Sequence, residues 1–396
     1  MISNRLKKLS ESATLEMARK SRELKAKGVD VISLSLGEPD FNTPEKIKAA
    51  AKKAINENYS HYTPVPGLLE LRKAIVKKLK RDNKIDYHPS QIVTSTGAKQ
   101  SIANVCISLI NTGDEVILLA PYWVSYLEII KFCDGKPVII KSCLKNDFKI
   151  NAKDIEKNIT KKTKLILFNS PCNPSGSVYS KKEIQEIGEM LSKYPNTYII
   201  SDEIYEHICF DTKHFSICRK KKIQNQVITI NGVSKGFAMT GWRLGYIGAA
   251  QWIADACNKI QGQFTSATSS ITQKAVEAAM NINPIELNEM KKEFQERRNL
   301  ILNLLNKIPG IITNKPEGAF YIFCDISSFF GSKYDKYIIN NSHDLSIFLL
   351  EIANVAVVAG NAFGDENCIR ISYATNKEKI IEAVKRIEKS LNKLSN

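Results

Sequence analysis

Short β-branched runs alternate with amphipathic stretches along most of the chain. Apolar runs at residues 91–95, 115–119, 137–141, 164–169, 197–202, 227–231 and 244–249 predict seven strands. Over residues 180–194, Ile184, Ile187, Met190 and Leu191 fall on one helical face, and Ser180 with Glu183 forms a capping box. Thr43 followed by Pro44 predicts an N-cap with proline at the first helical position, opening a helix that runs to about Asn58. Strands that are apolar throughout, alternating with helices, predict an α/β fold: a mostly parallel seven-stranded sheet covered on both faces.

The pattern changes after about Glu286. A long helix is predicted over residues 291–307, with Phe294, Leu300, Ile301, Leu304 and Leu305 apolar, stopped by Ile308-Pro309-Gly310. Shorter strands around residues 319–324, 355–358 and 369–373, mixed with helices, predict a second, smaller α/β unit. Residues 331–341 read as a polar surface loop.

Composition narrows the class. Of 396 residues, 43% are hydrophobic and 25% charged, which excludes wholesale disorder. No apolar run reaches the roughly 18 residues of a membrane span. The opening Met1-Ile2-Ser3-Asn4-Arg5-Leu6-Lys7-Lys8 meets charge at once, without a signal core, so a cytoplasmic protein is expected. Lys and Arg number 57 against 41 Asp and Glu, a net charge of +16. The lysines are scattered and the longest basic run is Arg219-Lys220-Lys221-Lys222, so a solvated basic surface is expected and no nucleic-acid or membrane partner. Its consequence is steering of anionic metabolites. Nine cysteines, an odd number without a C-x-x-C pair, support neither a disulfide framework nor a metal site.

Open parallel sheets bind ligands beyond the carboxyl ends of their strands. After the first predicted strand comes Ser95-Thr96-Gly97-Ala98-Lys99-Gln100, a glycine turn into a helix whose N–H groups can hold a phosphate. A glycine placed there for steric reasons alone fits the same six residues. After the strand at 164–169 comes a loop with two prolines and a glycine that aims Asn169 and Asn173, and a plain structural turn fits it as well. Asp202-Glu203-Ile204-Tyr205 ends the next strand: a carboxylate for a protonated ring nitrogen and, three residues on, a phenol for a ring oxygen. Asp202 alone could instead cap a helix. Residues 232–246 set Lys235 among small and apolar side chains, where an amine loses its proton and forms a Schiff base. Ser234 and Arg243 flank it with a hydroxyl and a forked guanidinium suited to phosphate.

With that stretch the chain resembles the fold-type-I pyridoxal-phosphate enzymes, the class I aminotransferases, and within them the prokaryotic aspartate aminotransferase branch. The resemblance spans essentially the whole chain. It includes Ser35-Leu36-Gly37-Glu38-Pro39-Asp40-Phe41, His61-Tyr62-Thr63-Pro64-Val65-Pro66-Gly67, Pro121-Tyr122-Trp123-Val124-Ser125-Tyr126, Asn173-Pro174, Asp202 to Tyr205, Ser234-Lys235, Gly241-Trp242-Arg243 and Arg370-Ile371-Ser372-Tyr373. It implies pyridoxal 5'-phosphate as cofactor, held covalently by Lys235. Asp202 would pair with the ring nitrogen, Tyr205 and Asn173 with the ring 3-oxygen, and Trp123 would stack on the ring. The phosphate would lie on the Ala98 and Lys99 backbone, Ser234 and Arg243, with Tyr62 reaching in from the partner of a homodimer. Arg370 would fork onto the substrate α-carboxylate beside Gly37 and Asn173, and Thr14 and Lys99 would meet a distal carboxylate. Three segments are implied: an N-terminal segment 1–44 packing with the small domain, a large cofactor domain 45–286 and a small domain 287–396.

The implied activity is transfer of the amino group of L-aspartate to 2-oxoglutarate in a ping-pong cycle. Other members of the class, with prephenate, aromatic or alanine substrates, and a non-catalytic protein of the same fold are the alternatives. Ser10-Glu11 stands where prephenate-using relatives carry a basic residue.

Overall fold

The seven predicted strands form and pair into a single sheet. The computed structural model describes residues 2–395; Met1 and Asn396, the outer ends of the expected segments 1–44 and 287–396, lie outside the described residues. Across the sheet the order is Ile92–Ser95, Gly245–Gly248, Val227–Gly232, Tyr198–Asp202, Thr163–Asn169, Glu115–Ala120, Lys136–Lys141. Gly245–Gly248 runs antiparallel to both neighbours, and every other pairing is parallel. The exception has a local cause: the chain returns through residues 233–244 without the crossover helix that a parallel neighbour requires.

Successive side chains of these strands enter different cores. Val116 and Leu118, Leu165 and Leu167, Ile200, and Ile228 pack in one cluster, while Ile117, Ile166 and Phe168, Ile199 and Val227 pack in another. A period-two strand buried on both faces therefore reads as an unbroken apolar run. Lys181–Leu191 is capped as expected, with Ser180 Oγ accepting from Glu183 N–H and the Glu183 carboxylate accepting from Ser180 N–H.

Four expectations are corrected in detail. The helix after Thr43 is Glu45–Asn56 with Pro44 itself at the N-cap, because the Thr43 hydroxyl is drawn away to donate to Ala238 O at 2.8 Å. The long helix starts earlier, at Asn288–Leu305, since a capped turn at Pro284–Leu287 leads straight into it. Residues 355–358 do not form one strand. Val355–Ala356 pairs in parallel with Ile32–Ser33, whereas Val358–Ala359 pairs antiparallel with Cys368–Ser372. Residues 331–341 contain a small hairpin, Lys333–Tyr334 against Tyr337–Ile338, anchored by the buried Ile339.

The C-terminal part centres on a three-stranded antiparallel sheet in the order Val358–Ala359, Cys368–Ser372, Tyr321–Asp325. Its core includes Phe294, Ile301, Leu305, Phe348 and Ile387, and Ile32, Leu34, Ile204 and Tyr205 join it from elsewhere in the chain. Among the described residues no helix is long and apolar enough to cross a membrane.

Candidate active site

The carboxyl ends of the parallel strands converge on a cavity of about 230 Å³. Thr14, Gly37, Ala98, Lys99, Trp123, Asn173, Asp202, Tyr205, Ser234, Lys235, Arg243 and Arg370 line it together. One predicted site residue does not join them. Tyr62 is 97% exposed and does not line this cavity.

Lys235 enters from the loop after Val227–Gly232, and its Nζ donates to Gly37 O at 2.6 Å. Burial pushes its amine down to about 8, and the nearby Arg370 guanidinium adds to the effect. Asp202 ends its strand buried and is pushed up to about 6, again by burial. Tyr126 Oη donates to Asp202 Oδ2 at 2.7 Å and Ile204 N–H to Oδ1 at 3.2 Å, which favour the anion and limit the rise. The site thus holds an amine and a carboxylate whose protonation states are both adjustable near neutral pH.

An anion cradle lies at one end. Gly97, at φ +85°, turns the chain into the helix Ala98–Leu109, whose leading N–H groups lack intrahelical partners. A Cβ on Gly245 would strike the Ala98 backbone nitrogen, and one on Gly97 would strike the Arg243 guanidinium. Arg243 sits at φ +56°, with Nη1 donating to Thr240 O at 2.8 Å. It has no ion-pair partner among the described residues, so helix N–H groups and an unneutralised guanidinium meet beside Ser234.

The other end is cationic as well. Arg370 is 2% exposed, with Nη1 donating to Asn173 Oδ1 at 2.9 Å and Nη2 to Ser35 O at 2.6 Å. Its Nε is buried without a hydrogen-bond partner, and among the described residues no carboxylate pairs with Arg370. A buried guanidinium with only neutral acceptors suits a carboxylate arriving from outside. Asn173 is held by Asn169 Oδ1, which accepts its N–H at 2.8 Å, while Asn169 Nδ2 donates to Asp202 O. Lys99 Nζ lies 5.0 Å from the centroid of the Trp123 ring, and burial lowers its pKa. Thr14 lies in the first turn of Ala13–Ala26 with its Oγ1 buried and unpartnered.

Three supporting groups were not singled out from the sequence. Tyr126 stands in a quoted motif, but only the fold brings it to Asp202. Tyr321 belongs to no motif, and only the packing of the C-terminal sheet against the loop after Tyr198–Asp202 brings its Oη to 2.7 Å from Tyr205 Oη. Behind Tyr205, Glu206 pairs with the buried Lys78 and accepts from Asn83 at 2.6 Å and Asn231 at 2.7 Å. That network ties the strand ends carrying Asp202 and Lys235 to the helix Leu69–Lys78.

The arrangement has the donors for a phosphate, a carboxylate for a protonated ring nitrogen, a phenol for a ring oxygen and an amine for a carbonyl carbon. The cradle and the unpartnered Arg370 Nε therefore fit a phosphorylated heterocycle and an amino-acid carboxylate.

Comparison with known proteins agrees. The pattern of the family described as aminotransferase class I and II matches residues 29–387. A probable aspartate/prephenate aminotransferase of Rickettsia felis is 43% identical, over 100% of this chain and 97% of the relative. A bifunctional aspartate aminotransferase and glutamate/aspartate-prephenate aminotransferase of Petunia hybrida is 44% identical, over 98% of this chain and 82% of the relative. Among solved structures, the aspartate aminotransferase from Rhizobium meliloti superposes with a TM-score of 0.96 at 39% identity, covering 100% of both chains. That of Thermus thermophilus with maleate gives 0.93 at 34% identity, covering 98% of this chain and 99% of the other.

Proposed function

The chain belongs to the aminotransferase class I and II family, and from that premise we propose that it is an aspartate aminotransferase, moving the amino group of L-aspartate to 2-oxoglutarate with pyridoxal 5'-phosphate. The observation that carries this reading is that one cavity holds a buried, easily deprotonated Lys235 and a buried Arg370 without a carboxylate partner among the described residues. The full-length likeness to aspartate aminotransferases supports the choice of substrate.

The cofactor, when bound, supplies the electron sink that makes the amino-acid α-carbon acidic. The protein supplies orientation and proton handling. Arg370 forks onto the substrate α-carboxylate, with Asn173 and Ser35 O fixing the guanidinium plane. Lys235 Nζ, half neutral near pH 8, is placed to take the α-proton as general base. Asp202, kept anionic by Tyr126 and Ile204 N–H, holds the proton of the ring nitrogen, and Tyr205 and Asn173 donate to the ring oxygen. Ala98, Lys99, Ser234 and Arg243 take the phosphate, and Trp123 closes the ring face. Lys99 and Thr14 meet the distal carboxylate of a dicarboxylic substrate; the unneutralised Lys99 and the unpartnered Thr14 Oγ1 support this. Donor and acceptor share one site, so the kinetics are ping-pong.

A homodimer belongs to this reading, with Tyr62 of each subunit completing the other's phosphate site; its 97% exposure supports the assignment. We also infer the three-part division 1–44, 45–286 and 287–396, supported by the separate C-terminal core and by the pairing of Ile32–Ser33 with Val355–Ala356. Nine free cysteines, seven of them buried, suit a reducing cytoplasm.

One observation favours a second reading, amination of a bulkier acid such as prephenate. A cleft of about 580 Å³ adjoins the cavity at Lys99 and Ser125, with Met17, Ile107, Leu127 and Phe132 on its walls. The Glu11 carboxylate at the same cleft weighs against an anionic substrate there.

The first experiment records the near-UV and visible absorption of the purified protein before and after L-aspartate, without any oxo acid. The expected result is a bound band that converts to the pyridoxamine form, and no such conversion in Lys235→Ala. A bound band indifferent to aspartate would overturn the substrate; wild-type turnover in Lys235→Ala would overturn the mechanism.

A further inference from the structure

One buried hydroxyl at the site takes no part in the steps above. Tyr321 opens the strand Tyr321–Asp325 and is 1% exposed. Its Oη lies 2.7 Å from Tyr205 Oη, with the rings edge-on at 81° and centroids 5.8 Å apart. Antiparallel pairing sets Tyr321 opposite Ser372, so it is the diagonal neighbour of Arg370 on one face of the sheet. The Arg370 guanidinium accordingly lies 4.6 Å from the Tyr321 ring centroid. A Cβ on Gly37 would occupy the place of Tyr321 Oη, and the Gly37 carbonyl accepts from Lys235 Nζ. One phenol thereby adjoins the carboxylate clamp, the phenol assigned to the ring oxygen and the backbone carbonyl on which Lys235 rests.

A hydrogen bond between two hydroxyls has a direction, and the surroundings choose it. Arg370 faces the pair from Cys368–Ser372 and Asp202 from the end of Tyr198–Asp202, while Lys235 enters the same cavity from the loop after Val227–Gly232. Phe320 packs against both rings. Tyr321 Oη has Tyr205 Oη as its one hydrogen-bond partner among the described residues. If Tyr205 donated to Tyr321, the Tyr321 proton would be buried without an acceptor, which is unfavourable. If Tyr321 donates, that proton is satisfied and the Tyr205 proton turns into the cavity.

Resting on the cofactor assignment above, we propose that Tyr321 is a positioning residue that aims the Tyr205 proton at the ring oxygen of the bound cofactor. The chain of donors, Tyr321 to Tyr205 to ring oxygen, polarises in one direction and strengthens its last bond. That bond favours the more anionic ring oxygen, and hence the state in which the nitrogen joining Lys235 to the cofactor has lost its proton. Removing the Tyr321 hydroxyl therefore shifts this titration to higher pH.

The test is a pH titration of the visible absorption band in wild type, Tyr321→Phe, Tyr205→Phe and the double variant, each checked by thermal melting. Phenylalanine keeps the ring over Arg370, so the KM for L-aspartate should stay within about twofold while kcat falls about three- to tenfold. The midpoint of the band should rise by about half a pH unit or more in Tyr321→Phe, and the change should vanish in the Tyr205→Phe background. Tyr373→Phe, which removes a buried hydroxyl bonded to Ala319 O instead, should leave the midpoint in place. An unmoved midpoint in folded Tyr321→Phe, or a shift that persists without the Tyr205 hydroxyl, overturns this proposal alone. A wild-type chain that acquires no visible band on adding pyridoxal phosphate overturns the cofactor assignment with it.

Discussion

Burial controls the two ionisable groups at the centre of the site in opposite senses. It takes Lys235 down to about 8 and Asp202 up to about 6, because each charged form loses solvation. For the lysine the sign is simple. A lowered pKa enlarges the neutral fraction, and the neutral amine is the nucleophile that captures an aldehyde. At pH 7 about a tenth of an amine titrating near 8 is neutral, against less than about one in a thousand for an ordinary lysine. Loading of pyridoxal phosphate into the cofactor-free chain should therefore accelerate about tenfold per pH unit and level off above pH 8. Stopped-flow absorbance checks this, and a rate still climbing towards pH 10 would contradict it. At this scale Lys235 and Asp202 stood out in the sequence because they follow or end apolar strands, whereas Arg370, inside the strand Cys368–Ser372, stood out only through the family resemblance. Tyr126 and Tyr321 did not stand out, since each acts through a neighbour remote in sequence.

Elements matter here mainly through where they end. The strands Thr163–Asn169, Tyr198–Asp202 and Val227–Gly232 run parallel in register, so Asn169, Asp202 and Gly232 reach the same sheet edge. The helix Ala98–Leu109 starts at that edge because Gly97 adopts φ +85° with ψ +157°, a region open essentially to glycine that other residues enter at a cost of about 1–3 kcal/mol. In Gly97→Ala the new methyl group would also meet the Arg243 guanidinium. Cofactor affinity should fall about tenfold or more, measured by absorbance titration, with only a few degrees' loss in melting temperature. Unchanged affinity would mean that this turn does not shape the phosphate cradle. The periodicity located these elements well. It missed the split of residues 355–358 and the hairpin within 331–341, because a two-residue strand carries too little pattern to register.

For the whole molecule, a conspicuous residue is the one expected at the site that does not line its own chain's cavity. Tyr62 is 97% exposed, yet it stands in a motif of the family and belongs to the proposed phosphate site. If it acts across a two-fold axis, subunit exchange between Tyr62→Phe and Lys235→Ala homodimers should generate hybrids. Each hybrid would hold one site with both natural residues. The expected outcome is recovery of tight cofactor retention and turnover on mixing, read by absorbance after gel filtration. No recovery despite demonstrated exchange would place Tyr62 outside the partner's site.

The sequence by itself determined the α/β class and the seven strands of the main sheet, and it marked Lys235 and Asp202 as candidate reacting groups. These follow from local regularities: two-face burial makes a strand apolar throughout, and chemistry-bearing residues lie in the short loops that follow strands. Tertiary structure alone decided how Arg370 comes beside Asn173 and Ser35, how far burial and Arg370 lower the Lys235 pKa, and which hydroxyl meets Tyr205. Each of those depends on desolvation and on contacts between residues far apart in the chain. Hydrophobic periodicity records which side of an element is buried, but not which distant side chain buries it.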